Sequence, residues 1–366
     1  MTRALYLTSD SIAAQSGGGQ VVRAEVQALA DIFHEVVVLA REQLIPPQYA
    51  GHDIPYLADY FALSKVRGEH FDHCQVYSGC FSQTIAHLKA RGTVVTYTSP
   101  AHDRLESIAE WERLVGPYPF VHLSDPYLWS VFSEGLRLAD VVIAPSRHSA
   151  AFLAREGVAP DRIVVIPHGF NPPDPAKLPL PFPDEFRVGY LGATGPDKGL
   201  LYLVRAWGAL ALPDATLVLA GRESQSLEAM IRRETNGGKF ALLGYVPDIT
   251  EFYQNITVYC QPSVTESMGL EILEAMGHGR PVIASTRAGA SELVNWHERG
   301  RTVAPRDEAG LGQAIQWFYN RRRAKDELTR MGANAILAAS QHTWEAARTR
   351  YRELFAKLHE RAKVSA

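Results

Sequence analysis

The chain has 366 residues, 46% apolar and 21% charged, with a formal net charge of −3, which describes an ordinary globular protein too long for one typical core and therefore expected to form two domains. The nearly balanced charge supplies no basic field, which sets nucleic acid aside as a main partner. Three cysteines, Cys74, Cys80 and Cys260, have neither metal-ligand spacing nor an even disulfide framework.

The N-terminus lacks the long apolar segment of a signal peptide and runs straight into a first strand at residues 4–8. No apolar run is long enough to span a bilayer, so a reducing cytoplasm is the expected home. Further buried strands are expected at 36–39, 75–77, 93–97, 141–144 and 163–166, with helices such as 20–33 and 146–156 between them. Ser146 is placed to cap the second of these helices. Residues 167–183 hold seven prolines counting Pro167, a density that neither a helix nor a central strand tolerates, and the stretch reads as a stiff linker. The pattern restarts with strands at 187–191, 215–220, 240–243, 257–260 and 281–284. A tail rich in helix formers, from about 308 to 363, closes the chain. Strands alternating with helices predict α/β domains with parallel sheets. The expected division is 1–170, a linker at 171–186, a second domain at 187–345 and a closing helix at 346–366.

In such sheets ligands gather at the carboxyl ends of strands, and several unusual residues fall there. Gly17, Gly18 and Gly19 follow the first strand and precede a helix. Their bare backbone suits an anion or a sugar, and equally suits a flexible surface loop. His102 follows the strand at 93–97 and suits a hydroxyl or a phosphate oxygen, or a local turn contact. In the second half, Gly192, Gly195, Lys198 and Gly199 join a strand to a helix. Lys198 supplies a cation where a diphosphate could lie, although the full phosphate-loop pattern is missing and a solvated surface lysine fits the same spacing. Arg222 follows another strand end, where a solvated surface arginine fits the pattern. Val246, in Gly244-Tyr245-Val246-Pro247, is positioned for backbone contact with a planar base or for the core.

The most informative segment is Glu266-Ser267-Met268-Gly269-Leu270 leading to Glu274, two carboxylates eight positions apart. The first stands at a strand-to-helix turn and the second within the helix, where leucines recur at near-helical spacing. Carboxylates accept hydroxyl protons while amides at a helix start take an anion, an arrangement suited to a ligand with both hydroxyls and phosphate. Helix capping and surface ion pairs offer the plainer account of the same pair.

The ordered set of glycine loop, strand-end histidine, Pro167-His168-Gly169 hinge, Lys198 loop and Glu266-x(7)-Glu274 helix resembles glycosyltransferase family 4, whose members are retaining sugar transferases. The likeness covers nearly the whole chain. It is most specific from Glu266 to Ala284, where Ser267 and Met268 depart from the family's Gly-Phe. The resemblance implies the GT-B fold, two Rossmann-like domains facing a cleft, with a final helix returning to the N-terminal domain. It also implies a nucleotide diphosphate sugar as co-substrate, a saccharide or other hydroxyl acceptor, no other cofactor and no metal; the chain has no Asp-x-Asp motif. Glu266 would hold the donor sugar, Glu274 the ribose, and Lys198 with the amides of Ser267, Met268, Gly269 and Leu270 the diphosphate. His102 would touch the sugar or phosphate, and Gly18 and Gly19 would close over the diphosphate. The family places arginine where this chain has Ala193, leaving Thr194 or Arg222 to substitute. Glu271 shares a helix face with Glu274 and is expected to be a solvated or cross-domain residue. An epimerase on the same scaffold and a nucleotide-sugar binder without turnover are the alternatives. Glu106, Glu110 and Glu112 lace the stretch 104–113, so at most peripheral membrane contact is expected.

Overall fold

A computed structural model describes residues 1–12, 17–46, 48, 57–100, 103–116, 126–178, 180–221, 225–294 and 298–365. The chain forms two compact units, one of Met1–His102, Tyr118–His168 and Trp344–Ala366, the other of Asp103–Pro117 and Gly169–Thr343.

The first unit is a parallel sheet of β1 (Arg3–Thr8), β2 (Glu35–Leu39), β3 (His73–Tyr77), β4 (Val94–Thr98), β5 (Val141–Ala144) and β6 (Ile163–Val165). The strand order is β2-β1-β3-β4-β5-β6, so the order reverses between β1 and β3. β3 is buried along its whole length although His73 and Gln75 alternate with Cys74 and Val76, so its polar side chains must find partners inside the unit. The first helix spans Gly17–Ala30 and so starts earlier than the residue-20 start expected from apolar periodicity. A Cβ on Gly18 would stand 3.2 Å from both Asp10 Oδ2 and Tyr77 Oη, so the glycines form the helix's first turn close beside the β1–β3 switch point.

A polar seam crosses this unit's interior. The buried Glu25 accepts from Tyr6 Oη at 2.7 Å and Thr98 Oγ1 at 2.5 Å. Gln75 Nε2 donates to Thr98 Oγ1 at 2.9 Å, and His73 Nε2 lies 2.9 Å from Thr96 Oγ1. Burial pushes the Glu25 carboxyl up to about 7 against these hydrogen bonds. The helix Trp344–Ser365 adds Tyr351 and Phe355 to the same core, beside Tyr6 and Val21.

The second unit is a parallel sheet of β7 (Phe186–Leu191), β8 (Ala215–Ala220), β9 (Phe240–Leu242), β10 (Val258–Gln261), β11 (Val282–Ser285) and β12 (Gly300–Val303). Its order is β12-β11-β10-β7-β8-β9, that of dinucleotide-binding folds, with the reversal between β7 and β10. Strand β12 escapes notice in the sequence because Gly-Arg-Thr-Val shows no apolar pattern; its pairing with β11, Val282 opposite Gly300, makes it a strand. One face is packed by Leu203, Trp207, Leu217, Phe318 and Met331, the other by Phe252, Tyr259, Leu273, Met276 and Val282. Truncating any such buried leucine to alanine costs about 2–5 kcal/mol.

Two sequence expectations about boundaries change. Residues 171–186 are no free linker but part of the second unit. The fully buried Arg280 donates from Nε to Tyr253 O at 2.7 Å and from Nη2 to Pro181 O at 2.8 Å, with its guanidinium 4.5 Å over the Phe182 ring. Asp103–Pro117, expected within the N-terminal domain, groups with the second unit because its acids meet basic partners there. No described helix is long and apolar enough to cross a membrane.

Candidate active site

In the second unit the strand order reverses between β7 and β10, and the loops leaving those two strands carry Lys198 and Glu266. The chain leaves β7 through Gly192, makes a short 3-10 turn at Pro196–Lys198, and enters the helix Leu200–Leu210 through Gly199. Gly199 has φ +71°, and a Cβ there would stand 2.1 Å from Pro262 O. Only glycine lets the β7 loop lie directly on the β10 loop. From β10 the chain passes Glu266, whose N–H donates to Arg287 O at 3.0 Å, and turns at Gly269 (φ +81°) into the helix Leu270–Gly277.

These turns bring Lys198 Nζ to 2.5 Å from Glu266 Oε2. The two side chains remain 25% and 13% exposed, so the pair is recessed but open. Burial opposes the charge on Lys198, yet the carboxylates of Glu266, Asp197 and Glu271 outweigh it and hold the amine above the ordinary lysine value. A permanent cation thus stands at the mouth of the sheet.

Behind the pair lie two more carboxyls. Burial first, and then the neighbouring Glu266, raises Glu271. Glu274 is pushed up to about 8 by burial and by Glu271, against a hydrogen bond from Tyr253 Oη at 3.3 Å. Tyr253 Oη also lies 3.1 Å from Glu271 O. Glu271 is therefore not the solvated residue expected from sequence. It turns toward the β7 strand end, where a Cβ on Gly192 would be 3.4 Å from its Oε1. Residue 271 stands three positions before 274, so the helix period puts both on one face, but packing against the β7 strand end decides that the Glu271 side chain turns inward.

The remaining candidates divide. Met268 buries its side chain in the core, and its carbonyl accepts from Ala290 N at 2.7 Å, so only its backbone faces the turn. The Ser267 N–H already donates to Glu266 Oε1 at 3.2 Å. Gly269 and Leu270 form the helix entry. Val246 lies in the second unit beyond β9, lining a groove of about 560 Å³ with Leu243, Phe252 and Asn255. Gly18 and Gly19 belong to the first unit, in the opening turn of its first helix. His102 and Arg222 lie outside the described residues. At Ala193, where an arginine was expected, the carbonyl accepts from Tyr190 Oη.

Two family models match the chain, one described as Glycosyltransferase Family 4 over residues 15–173 and one as Glycosyl transferases group 1 over residues 185–321. The chain belongs to glycosyltransferase family 4. Among curated relatives of this family 4 chain, the lipopolysaccharide core biosynthesis mannosyltransferase LpcC of Rhizobium leguminosarum is 34% identical over 198 residues, 49% of this chain and 54% of that protein. The O-antigen chain mannosyltransferase B of Escherichia coli is 27% identical over 238 residues, 60% of this chain and 61% of that protein. The matches therefore span only 54% and 61% of these relatives' lengths. Among solved structures, sucrose-phosphate synthase from Thermosynechococcus elongatus superposes with a TM-score of 0.76 at 21% identity, covering 98% of both chains. HepE of Anabaena, solved with UDP and glucose, has a TM-score of 0.69 at 18% identity over 97% of this chain and all of that one. These likenesses establish a GT-B fold.

Proposed function

We propose that this family 4 chain transfers a sugar from a nucleotide diphosphate sugar to an acceptor hydroxyl, with retention at the anomeric carbon and without a divalent metal. The observation that carries the reading is the Lys198–Glu266 pair at the β7–β10 reversal, with Glu271 and Glu274 behind it. As the bond from the anomeric carbon to the diphosphate oxygen breaks, negative charge grows on the phosphate and positive charge on the ring. Lys198 neutralises the former, assisted by backbone N–H groups from Ser267 to Leu270, and no metal is then required. Glu266 accepts from hydroxyls of the donor sugar, which frees Lys198 for the diphosphate, and Glu274 accepts from the ribose.

The acceptor oxygen bonds to the anomeric carbon on the face the diphosphate leaves, and its proton passes to the departing phosphate oxygen. His102 contributes at the sugar or phosphate, Gly18 and Gly19 offer their backbone to the diphosphate, and Val246 meets the base through its backbone. Arg222 is the substitute for the cation absent at Ala193. The named activity of the relatives favours a hexosyl donor such as a nucleotide-linked mannose, and a saccharide as acceptor.

The test is a thermal-shift panel of UDP, GDP, ADP and dTDP with their hexose conjugates, followed by transfer assays with the stabilising donor. A ligand at a hundred times its Kd stabilises the native state by about 2.7 kcal/mol, a readable shift. Glu266→Ala should keep nucleotide affinity and lose transfer. Conversion of the donor without any acceptor would replace this reading with an epimerase, and stabilisation without turnover would leave a binder. No stabilisation by any of these compounds would sink the donor site.

A further inference from the structure

The helix Arg104–Leu114 carries Glu110, whose side chain is fully shielded from solvent. A buried carboxylate is costly unless paired and hydrogen-bonded. Glu110 Oε1 receives Arg113 Nη2 at 2.7 Å and Tyr202 Oη at 2.5 Å, and Oε2 receives Arg306 Nε at 2.7 Å. Arg306 Nη2 also reaches Glu106 Oε2 at 2.8 Å. Burial pushes the Glu110 carboxyl up, but the hydrogen bonds from Arg113, Tyr202 and Arg306 outweigh it and hold it below its ordinary value. Arg306, just beyond β12, adopts φ +62°. That left-handed backbone is unfavourable for any residue but glycine, and it persists only where surrounding contacts impose it.

The same helix touches both loops of the candidate site. The Asp103 N–H donates at 3.0 Å to Oγ1 of Thr265, the residue before Glu266. The Trp111 ring lies 3.5 Å from where a Cβ on Gly195 would stand, at the entry to the Pro196–Lys198 turn. From the sheet side, Tyr190 of β7 donates to Ala193 O and the Val264 N–H donates to Asp197 O at 2.8 Å, so the Arg104–Leu114 helix closes on the loop from the side those contacts leave uncovered.

We propose that Glu110 and Arg306 are positioning residues. Their clasp seats the Arg104–Leu114 helix on the 193–199 loop and so sets Lys198 opposite Glu266. The catalytic half of this proposal rests on the role given to Lys198 above, while the structural half does not.

Amide hydrogen exchange on the full chain tests it, comparing the natural protein with Glu110→Gln and Arg306→Gly. The glycine variant removes the guanidinium while relieving the left-handed backbone, so it loosens the clasp without adding backbone strain at that position. Exchange should rise roughly tenfold both in 104–114 and in 195–199, with β7 and β10 unchanged. With the donor found by the thermal-shift panel, kcat should fall roughly ten- to a hundredfold, because misplacing a group by an ångström costs that much. Arg306→Lys should recover part of it. A helix that loosens while 195–199 stays protected overturns the proposal, as does a helix whose exchange does not change. If no nucleotide binds, the functional reading fails and the exchange result still decides the clasp.

Discussion

Lys198 Nζ and Glu266 Oε2 meet at 2.5 Å although 68 residues separate them in the chain. Their meeting follows from strand order: β7 and β10 lie side by side, and each loop leaves its strand at the same edge of the sheet. Each satisfies the other, and their partial exposure limits the desolvation that a charged pair in a recess costs.

Lys198→Ala should therefore injure transfer more than folding. The expected result is a drop in kcat of roughly a hundredfold or more, since the mutation removes charge stabilisation at the leaving group. The melting temperature should shift by only a few degrees, because the pair is partly exposed and its net stabilisation modest. Steady-state kinetics beside calorimetry separate the two, and an unimpaired kcat would remove Lys198 from the mechanism.

Glu274, with its carboxyl raised to about 8, predicts a proton-linked binding step. Ribose hydroxyls donate best to the ionised form, so nucleotide affinity should increase as pH rises from 6 toward 8, with release of up to one proton on binding. Titration calorimetry in two buffers of different ionisation enthalpy reads that proton directly. Glu274→Gln should abolish the buffer dependence; if the natural protein shows none, Glu274 does not meet the ribose.

Glu25 makes a separate claim about stability. Its carboxyl rises from 4.5 to about 7 on folding, so the folded state holds the proton more tightly. Stability from this group is complete below the unfolded value and is lost as pH climbs through the folded one, on the order of 3 kcal/mol across that window. Glu25→Gln should flatten the stability profile between pH 4.5 and 7. Denaturant midpoints measured at intervals across that range check it, and an unchanged slope would assign the pH dependence elsewhere.

Gly199→Ala should be costly out of proportion to one methyl group. Its φ of +71° and the 2.1 Å approach to Pro262 O leave no room for a Cβ beside rigid backbone. A loss of about 2–4 kcal/mol is expected from strain and overpacking together. A variant with natural stability would show that the β7 and β10 loops can separate freely.

Much of this is legible in the sequence. Short strand-like segments between turn signals marked eleven of the twelve strands, most clearly the central ones buried on both faces. Glu266, Lys198 and Glu274 stood out because glycines and short turns at strand ends are local features written in consecutive residues. The sequence could not disclose β12, a strand by virtue of its neighbour, nor Glu271, whose side chain turns inward toward the end of β7. Nor could it assign Asp103–Pro117 to the second unit, since the partners of Glu106 and Glu110 are Tyr202 and Arg306, from 92 to 200 residues away. Periodicity and turn chemistry depend on neighbours in the chain and can be read along it. Charge pairing and burial depend on neighbours in space, and only the tertiary structure decides those.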